Sequence, residues 1–567
     1  MKKMRFYWKD HKLDIALVQL LKLLEAGAEL LIPLCIANII DRGIPSGEAG
    51  RIFGMGFILL SLGLARLLCT AAAQYFAAKA TAGFAAKLRD SSFRRMQTRS
   101  WADLRRIGSP TLTERLTHDI DQIQSGAQLL LVNLARSPFV VFGTLAIALH
   151  IDPRSTPIFA ITIPASLSIA LGLARLTLPL RRRARIQRDE MALRARENLT
   201  GARVLRAFHR EDDEIDGFNR LHAKRTRAQS VISRIDALQK SMLCVPFFLA
   251  LVALLRIDAI TQGNRIALML YTYLIFAESL QLADLIAALE PFFASIGALR
   301  AMRKLRPSPR SPINPTSPSP ENAGRVDFEH VTVKHPGSAE LLHNISFSAR
   351  RGQIIGVVGG TGAGKTTLVD LIPRLQDTTS GIVRVGGVDV RKQDLHSLRA
   401  RIGIVPQHVT LLCGSIRDNL RWGNPDASDE ILLEAVRTAQ AWDILEAMGG
   451  LDGEIETLGQ NLTASQRQRL AIARALVRKP EILILDDSAP ALDLAADARL
   501  RMALRRLPHR PTVFIVSRRA DAVRYADRIL VLDDGRIAGD GTHEWLLEHC
   551  RIYQGICNSQ PKKEMSA

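Results

Sequence analysis

A glycine-rich segment followed by lysine and threonine is where the types and spacing of residues first point to chemistry. It consists of Gly359, Gly360, Thr361, Gly362, Ala363, Gly364, Lys365, Thr366 and Thr367. The segment follows the apolar run Ile354–Val358 and precedes a predicted helix that begins near Thr366. Glycines let backbone N–H groups close around phosphates at a helix N-terminus, while Lys365 reaches the outer phosphates and Thr366 can ligate Mg²⁺. The spacing therefore predicts a P-loop that binds a nucleotide.

Two adjacent carboxylates complete this predicted site. The apolar run Ile482–Leu485 is typical of a buried strand, and it ends at Asp486 and Asp487. A carboxylate at the end of such a strand is the Walker B arrangement, in which Asp486 acts on Mg²⁺ through its waters. The two motifs together predict binding of Mg²⁺ with ATP or GTP. They do not by themselves identify the class of protein.

The region that must position these residues alternates strand-like and helical runs. The runs are Ile354–Val358, Thr366–Arg374, Ile402–Val405, Arg467–Val477, Ile482–Leu485 and Thr512–Val516. Such alternation is typical of a doubly wound α/β nucleotide-binding domain. A Pro/Ser-rich stretch, Arg306–Gly324, precedes this region and has no apolar period, which indicates an extended linker. We therefore predict three parts: a first domain over 1–305, a linker over 306–324 and a nucleotide-binding domain over 325–567.

The first part contains six long apolar stretches. They are Ile15–Ile40, Phe53–Phe76, Ala127–Leu149, Ile158–Leu178, Ser241–Ile260 and Ile266–Phe293. A helix needs about 20 mostly apolar residues to cross a bilayer, and each stretch meets or approaches that length. Buried helices of a soluble protein are the alternative, which so many long runs disfavour. The sequence predicts a six-span α-helical transmembrane domain followed by an α/β P-loop domain.

Charge indicates how the spans are oriented. The chain has 76 Lys and Arg against 56 Asp and Glu, a net charge of +20. The segments between spans two and three and between spans four and five are long and strongly basic, which places them and both termini in the cytoplasm. These loops account for part of the charge, so we predict no nucleic-acid partner. The expected location is the plasma membrane, of the bacterial inner-membrane type.

Further motifs carry a resemblance to one family. Asn461–Leu476 resembles the signature region of ATP-binding-cassette (ABC) proteins, and Gly403–Gln407 resembles their Q-loop. Asp487–Asp493 is similar to the end of Walker B running into the D-loop, and Gly541–Glu544 to the C-terminal element of the family. In the first part, 112–119 and 201–208 resemble the cytoplasmic loops of the multidrug and lipid exporters. The chain is thus identified as a member of the ABC exporter family, as one half of a transporter.

The resemblance implies that a second half-transporter is the partner. Each ATP would then lie between the P-loop of one half and the signature of the other, which in this chain is Thr463, Ala464, Ser465 and Gln466. It implies that His335 stacks on adenine, that Gln407 helps to hold Mg²⁺ and that Asp493 belongs to the D-loop. Asp487 stands at the position of the general base and Arg518 at that of the switch histidine. The expected cargo is a small amphipathic molecule, drug-like or lipid-like, exported across the lipid membrane.

The sequence departs from the family pattern at the catalytic positions. Asp487 is one methylene shorter than the usual glutamate, and Arg518 cannot reproduce the hydrogen bonding of a neutral imidazole. Ala464 and Ser465 add Cβ atoms where the family has glycine, and Pro490 replaces a D-loop serine. These changes predict strong ATP binding with poor hydrolysis in this chain's own site, and a different partner half with intact catalytic residues.

Two other functions are compatible with the nucleotide motifs. The chain could be an ATP-binding regulatory or non-hydrolysing subunit of a heterodimeric transporter. It could also be a non-transport ABC protein that acts on DNA or ribosomes, but those lack a six-span domain. Charged residues within the spans leave a further choice open: they line a polar translocation path, or they form structural ion pairs. They are Lys22, Glu25, Glu29, Arg66, Arg136, Glu278 and Asp284.

Overall fold

The computed structural model describes residues 8–257, 260–303, 305, 307–334, 340–487 and 494–559. The chain divides into two compact units. The first consists of Met1–Gln97 and Ile107–Leu305, and the second of Thr98–Arg106 and Arg306–Ala567.

The first unit is built from long helices. In chain order the helices are α1 (Lys12–Asn38), α2 (Ala49–Gln97), α3 (Trp101–Ile107), α4 (Ser109–Leu116), α5 (His118–Leu129), α6 (Ala135–Ile151), α7 (Thr156–Thr200), α8 (Ala202–Ala207), α9 (Glu211–Leu255) and α10 (Gln262–Arg303). Two π-helical turns interrupt them, at Ile39–Gly43 after α1 and at Leu130–Leu134 between α5 and α6. In helix α3, residues 101–106 are assigned to the second unit and Ile107 to the first.

Six helices, or helices continued through a π-turn, are long and apolar enough to cross a membrane. Each of the six apolar stretches seen in the sequence lies in one of them, except that α9 ends at Leu255 and not at the expected Ile260. Helices α7 and α9 have 45 residues each. At 1.5 Å per residue that is about 68 Å, more than twice the ~30 Å hydrocarbon thickness. The strongly basic segments are therefore continuous with the spanning helices.

The second unit is an α/β domain. Its strands are β1 (Val326–Lys334), β2 (Glu340–Ala349), β3 (Ile354–Gly359), β4 (Ser380–Val385), β5 (Val388–Asp389), β6 (Ile402–Val405), β7 (Gly414–Ser415), β8 (Glu454–Ile455), β9 (Ile482–Asp486), β10 (Thr512–Ser517), β11 (Arg528–Asp533) and β12 (Arg536–Gly541). Its helices are α11 (Lys365–Asp370), α12 (Leu395–Ala400), α13 (Ile416–Arg421), α14 (Asp429–Thr438), α15 (Trp442–Ala447), α16 (Ala464–Leu476), α17 (Leu494–Arg505), α18 (Ala520–Val523), α19 (His543–His549) and α20 (Arg551–Asn558).

The main sheet has the order β12-β11-β3-β10-β9-β6. Strands β11, β3, β10, β9 and β6 are parallel, and β12 is an antiparallel edge strand. Every residue of β3, β9 and β10 is buried, which explains why these strands are continuous apolar runs in the sequence. A smaller antiparallel sheet has the order β2-β1-β4-β5. The parallel sheet brings the carboxyl ends of β3, β6, β9 and β10 to one edge.

Each predicted element of this domain is present, with boundaries that differ by at most four residues: α16 begins at Ala464 and not at Arg467, and the largest difference is at the helix after the P-loop. The helix after the P-loop ends at Asp370 and does not continue to the expected Arg374. Pro373 has no backbone N–H and disfavours helical geometry in the residue before it. Arg374 itself has a positive φ of 52°. The chain therefore turns earlier than the apolar pattern indicated.

The described part of the Pro/Ser-rich segment lies along the α/β domain and belongs to the same unit. The Thr316 N–H donates to the Lys392 carbonyl at 2.8 Å, and the Ser311 hydroxyl donates to Asp394 at 2.8 Å. The buried Arg374 side chain donates to the Arg310 carbonyl at 3.2 Å. These bonds attach the segment to the domain along its length.

Candidate nucleotide-binding site

A cavity of ≈ 280 Å³ lies where the parallel strands end. The predicted residues that line it are Thr361, Gly362, Gly364, Lys365, Thr366, Thr367, Gln407, Asp486, Asp487 and Arg518. The structure adds Leu341 and Val516, which sequence reasoning missed because no motif marks them. The fold thus brings residues from five separate segments, up to 177 positions apart between Leu341 and Arg518, around one cavity.

The P-loop conformation requires glycine at Gly364. Its φ is +92°, in the left-handed region, and an added Cβ would lie 2.7 Å from the Leu341 carbonyl oxygen. Helix α11 begins at the next residue, so the loop delivers its N–H groups at a helix start. Gly359 ends β3, and the Ala363 N–H donates to the Gly360 carbonyl at 3.3 Å; these three predicted residues are not among those that line the cavity. The loop conformation is therefore compatible with the predicted phosphate binding.

Lys365 is held across the loop. Its Nζ donates to the carbonyls of Gly359 at 2.9 Å and Gly360 at 2.6 Å. Burial lowers the pKa of Lys365; the charge of Asp487 opposes that shift, and the charge of Arg518 adds to it. An ammonium group that has already lost part of its hydration gains more from phosphate oxygens than a fully solvated one. The position of Lys365 therefore suits the outer phosphates of a nucleotide.

A hydroxyl, a carboxylate and an amide supply oxygen atoms beside Lys365. The Thr366 hydroxyl donates to Asp486, with oxygen–oxygen distances of 2.9 and 3.2 Å. Asp486 ends β9 and is only 6% exposed, and Gln407 lies two residues after β6. Hard oxygen ligands of this kind, together with nucleotide phosphates, fit Mg²⁺. When bound, Mg²⁺ would neutralise phosphate charge, with Thr366, Asp486 and Gln407 as the residues that hold it.

Asp487, which stands at the position expected for the general base, forms an ion pair with Arg518. The Asp487 Oδ2 atom accepts hydrogen bonds from Gln407 Nε2 at 3.1 Å and from Arg518 Nε and Nη2 at 3.3 and 3.2 Å. Asp487 Oδ1 is buried and accepts no hydrogen bond from the residues that the structure describes. The Asp487 side chain is 9% exposed, whereas that of Arg518 is 54% exposed. The sequence marked both residues as unusual but did not reveal that they pair, although their opposite charges were a usable signal.

The signature residues lie elsewhere in the domain. Thr463 caps helix α16: its hydroxyl accepts from the Gln466 N–H at 3.2 Å, and the Gln466 side chain accepts from the Thr463 N–H at 2.9 Å. Within the described part of the chain, Thr463, Ala464, Ser465 and Gln466 do not line the P-loop cavity. Their contact with a nucleotide held by another subunit stays a prediction. His335, Pro490 and Asp493 fall outside the described residues.

Comparisons with known proteins agree with this architecture. Residues 15–277 match the family model of the ABC transporter transmembrane region, and residues 342–489 match that of the ABC transporter. An uncharacterized ABC transporter ATP-binding protein of Mycobacterium tuberculosis is 33% identical over 98% of this chain and 97% of its own length. An ATP-dependent lipid A-core flippase of Methylobacillus flagellatus is 28% identical over 90% of this chain and 88% of its own length.

A solved structure shows the same fold. It is that of a bacterial Atm1-family ABC exporter with ATP bound, at a TM-score of 0.84 and 21% identity, covering 97% of this chain and 99% of that chain. The chain belongs to the ABC transporter family and is a multi-pass membrane protein of the exporter type. The ABC transporter domain matched at residues 342–489 implies ATP binding, and most residues that line the P-loop cavity lie within that match.

Proposed function

We propose that this chain is one half of a heterodimeric ABC exporter, in which its own P-loop site retains Mg-ATP and hydrolyses it poorly. The pairing of Asp487 with Arg518 is the observation that carries this proposal. A general base must accept a proton from, or orient, the attacking water. An aspartate whose Oδ2 accepts three hydrogen bonds, two of them from a guanidinium, is a weak base for that purpose.

The short side chain adds to the defect. Asp487 holds its carboxylate about one methylene farther back than glutamate would, and a misplacement of about 1 Å costs on the order of 100-fold in rate. The positive φ of 47° at Asp487 sets the direction of this side chain through the backbone. A small rotamer change therefore does not make up for the missing length.

Arg518 favours ATP retention. The side chain is half-exposed at the cavity, so an arriving γ-phosphate competes with Asp487 for the guanidinium. Arginine remains charged at every physiological pH and binds phosphate oxygens bidentately. Arg518, at the position of the family's histidine, thus both weakens Asp487 as a base and supplies a ligand for phosphate. Both effects lengthen the time that ATP stays bound.

The partner that we propose is a second half-transporter with glutamate and histidine at the two catalytic positions. A homodimer would contain two weakened sites, whereas a heterodimer keeps one working site. That site would place the partner's P-loop against Thr463–Gln466, whose capping box keeps the start of α16 ordered. The α/β domain and both termini would face the cytoplasm from the plasma membrane, as the basic helical extensions indicate.

The proposed substrate is a small amphipathic molecule of lipid-like or drug-like character. The relatives include proteins named ATP-dependent lipid A-core flippases, which supports an amphipathic lipid-like cargo. The six apolar spans also enclose buried charged side chains, so the bundle is not uniformly apolar.

The first test concerns ATP binding. Lys365→Ala is expected to abolish photolabelling by a Mg-ATP analogue, because the substitution removes the ammonium that reaches the outer phosphates. Lys392→Ala, at an exposed lysine of the same domain, is the matched control and should label like the wild type. Unchanged labelling of Lys365→Ala would show that the P-loop cavity is not the nucleotide site.

The second test concerns turnover without a partner. The purified chain, verified as a homodimer in lipid nanodiscs, is expected to bind ATP yet to hydrolyse it at most a few times per minute, far below the median enzyme turnover of about 10 per second. The reason is that both of its sites would contain the Asp487–Arg518 pair. Vigorous Mg²⁺-dependent hydrolysis by that homodimer would contradict the proposal.

A further inference from the structure

Six charged side chains form one network inside the helical unit. Five are buried, at 3–8% exposure, and Arg66 is half-exposed. They are Lys22, Glu25 and Glu29 on α1, Arg66 on α2, Arg136 on α6 and Glu278 on α10. Three cations face three carboxylates, so the network has no net charge. Charges at membrane depth are rare and costly, and a balanced set of six requires an explanation.

Arg136 is the centre of this network. Its Nε lies 3.6 Å from Glu25, its Nη1 lies 3.0 Å from Glu278, and its Nη2 is paired with Glu29. Glu278 also accepts a hydrogen bond from the Ser137 hydroxyl at 2.8 Å. One guanidinium thus joins three helices: α6, which carries it, α1 and α10.

The helix that carries Arg136 is interrupted on both sides of it. The π-helical turn Leu130–Leu134 ends two residues before Arg136, and Pro138 follows two residues after it. A π-turn departs from the regular i→i−4 bonding, and proline removes a further N–H donor and bends a helix. Farther along α6, a Cβ at Gly143 would overlap Leu30 of α1, so the two helices touch closely there. The regular backbone bonding of the helix is therefore interrupted on both sides of the residue that joins it to α1 and α10.

We propose that Arg136 is a clamp across a hinge. Its ion pairs to α1 and α10 keep the interrupted helix α5–α6 in one geometry, and their release lets the helix bend at Leu130–Leu134. Polar side chains that bond across helices are suited to this role, because such bonds are directional and stabilise one arrangement of the helices they join. The clamp is a property of the helical unit and holds whether or not the ATP site works as proposed.

The arrangement of charges permits a selective test. Removal of Arg136 and Glu278 together leaves Lys22 paired with Glu25 at 2.7 Å and Arg66 paired with Glu29 at 2.9 Å. The double variant Arg136→Gln/Glu278→Gln therefore loses the clamp without leaving an unbalanced buried charge. Replacing a whole buried pair by neutral groups is often tolerated, whereas removing one partner is strongly destabilising.

Hydrogen–deuterium exchange of the full chain in lipid nanodiscs, without nucleotide, decides the question. In the double variant we expect amide exchange in peptides that cover 130–138 to become about tenfold faster, while exchange in α7 and α9 changes less than about twofold. The melting temperature should stay near that of the wild type, and Glu278→Gln alone should lower it by several degrees.

A matched control and a milder variant complete the experiment. Arg181→Gln/Asp236→Asn removes an α7–α9 pair at 2.6 Å and should leave exchange over 130–138 unchanged. Arg136→Lys keeps the charge but cannot reach three carboxylates at once, so it should also make exchange over 130–138 faster. This variant serves as the test if the double variant fails to fold. Unchanged exchange over 130–138 would overturn the clamp. So would a rise spread evenly over all helices, because that would mark a general packing contact.

Discussion

In a heterodimer with an intact half, glutamine in place of the partner's catalytic glutamate is expected to lower ATPase activity by about 100-fold or more, whereas Asp487→Asn should change it less than about twofold. The reason is that only the site made by the partner's P-loop has a correctly placed base. In this chain's own site, Oδ2 of Asp487 is already engaged by Arg518 and Gln407. Conversion of Asp487 to the amide therefore removes little that contributes to steady-state turnover.

The same experiment tests the altered signature. Restoring Ala464→Gly with Ser465→Gly should leave turnover equal or faster, because the partner's nucleotide would meet less bulk at the start of α16. The control is Ser559→Ala, near the end of the described residues and outside both sites. A large loss of steady-state ATPase in Asp487→Asn would contradict the assignment and make this chain's own site the working one.

The second large effect is expected from restoring the catalytic pair. In the homodimer, Asp487→Glu with Arg518→His should raise ATPase activity at least about tenfold, and each single change should raise it less than about threefold. With Asp487→Glu alone, the longer carboxylate still meets the guanidinium of Arg518. With Arg518→His alone, the carboxylate is released but remains too short.

The decisive result of this double-mutant cycle is whether the effects of Asp487→Glu and Arg518→His on ATPase activity are additive in free energy. Two residues in contact give coupled effects, whereas independent defects would add in free energy. ATP photolabelling of all variants serves as the control for intact binding. If the two single changes each restored activity and their effects simply added, the Asp487–Arg518 contact would have no part in the defect.

The motifs could be predicted because each occupies a short stretch of chain. The P-loop needs nine consecutive residues between a strand and a helix, and β3 and α11 lie where that pattern places them. The six spans follow from apolar length alone. The end of the fifth was misplaced because Ile257 and Ile260 were counted with the apolar run, whereas the helix stops at Leu255, just before Arg256. The P-loop and the spans depend on local bonding and burial, so motif spacing and apolar length in the sequence predict them.

The sequence by itself determined the two domain types, the presence of a P-loop motif and the residues that depart from the family pattern. Only the tertiary structure decided which of those residues meet. Asp487 and Arg518 are 31 positions apart and directly follow the neighbouring parallel strands β9 and β10, and Glu29 and Arg136 are 107 positions apart on different helices. No periodicity connects such pairs, because contact between distant side chains depends on strand order and helix packing. The charges were visible in the chain, but the fold alone shows that Arg136 pairs with Glu29 and Glu278 and that Arg518 pairs with Asp487.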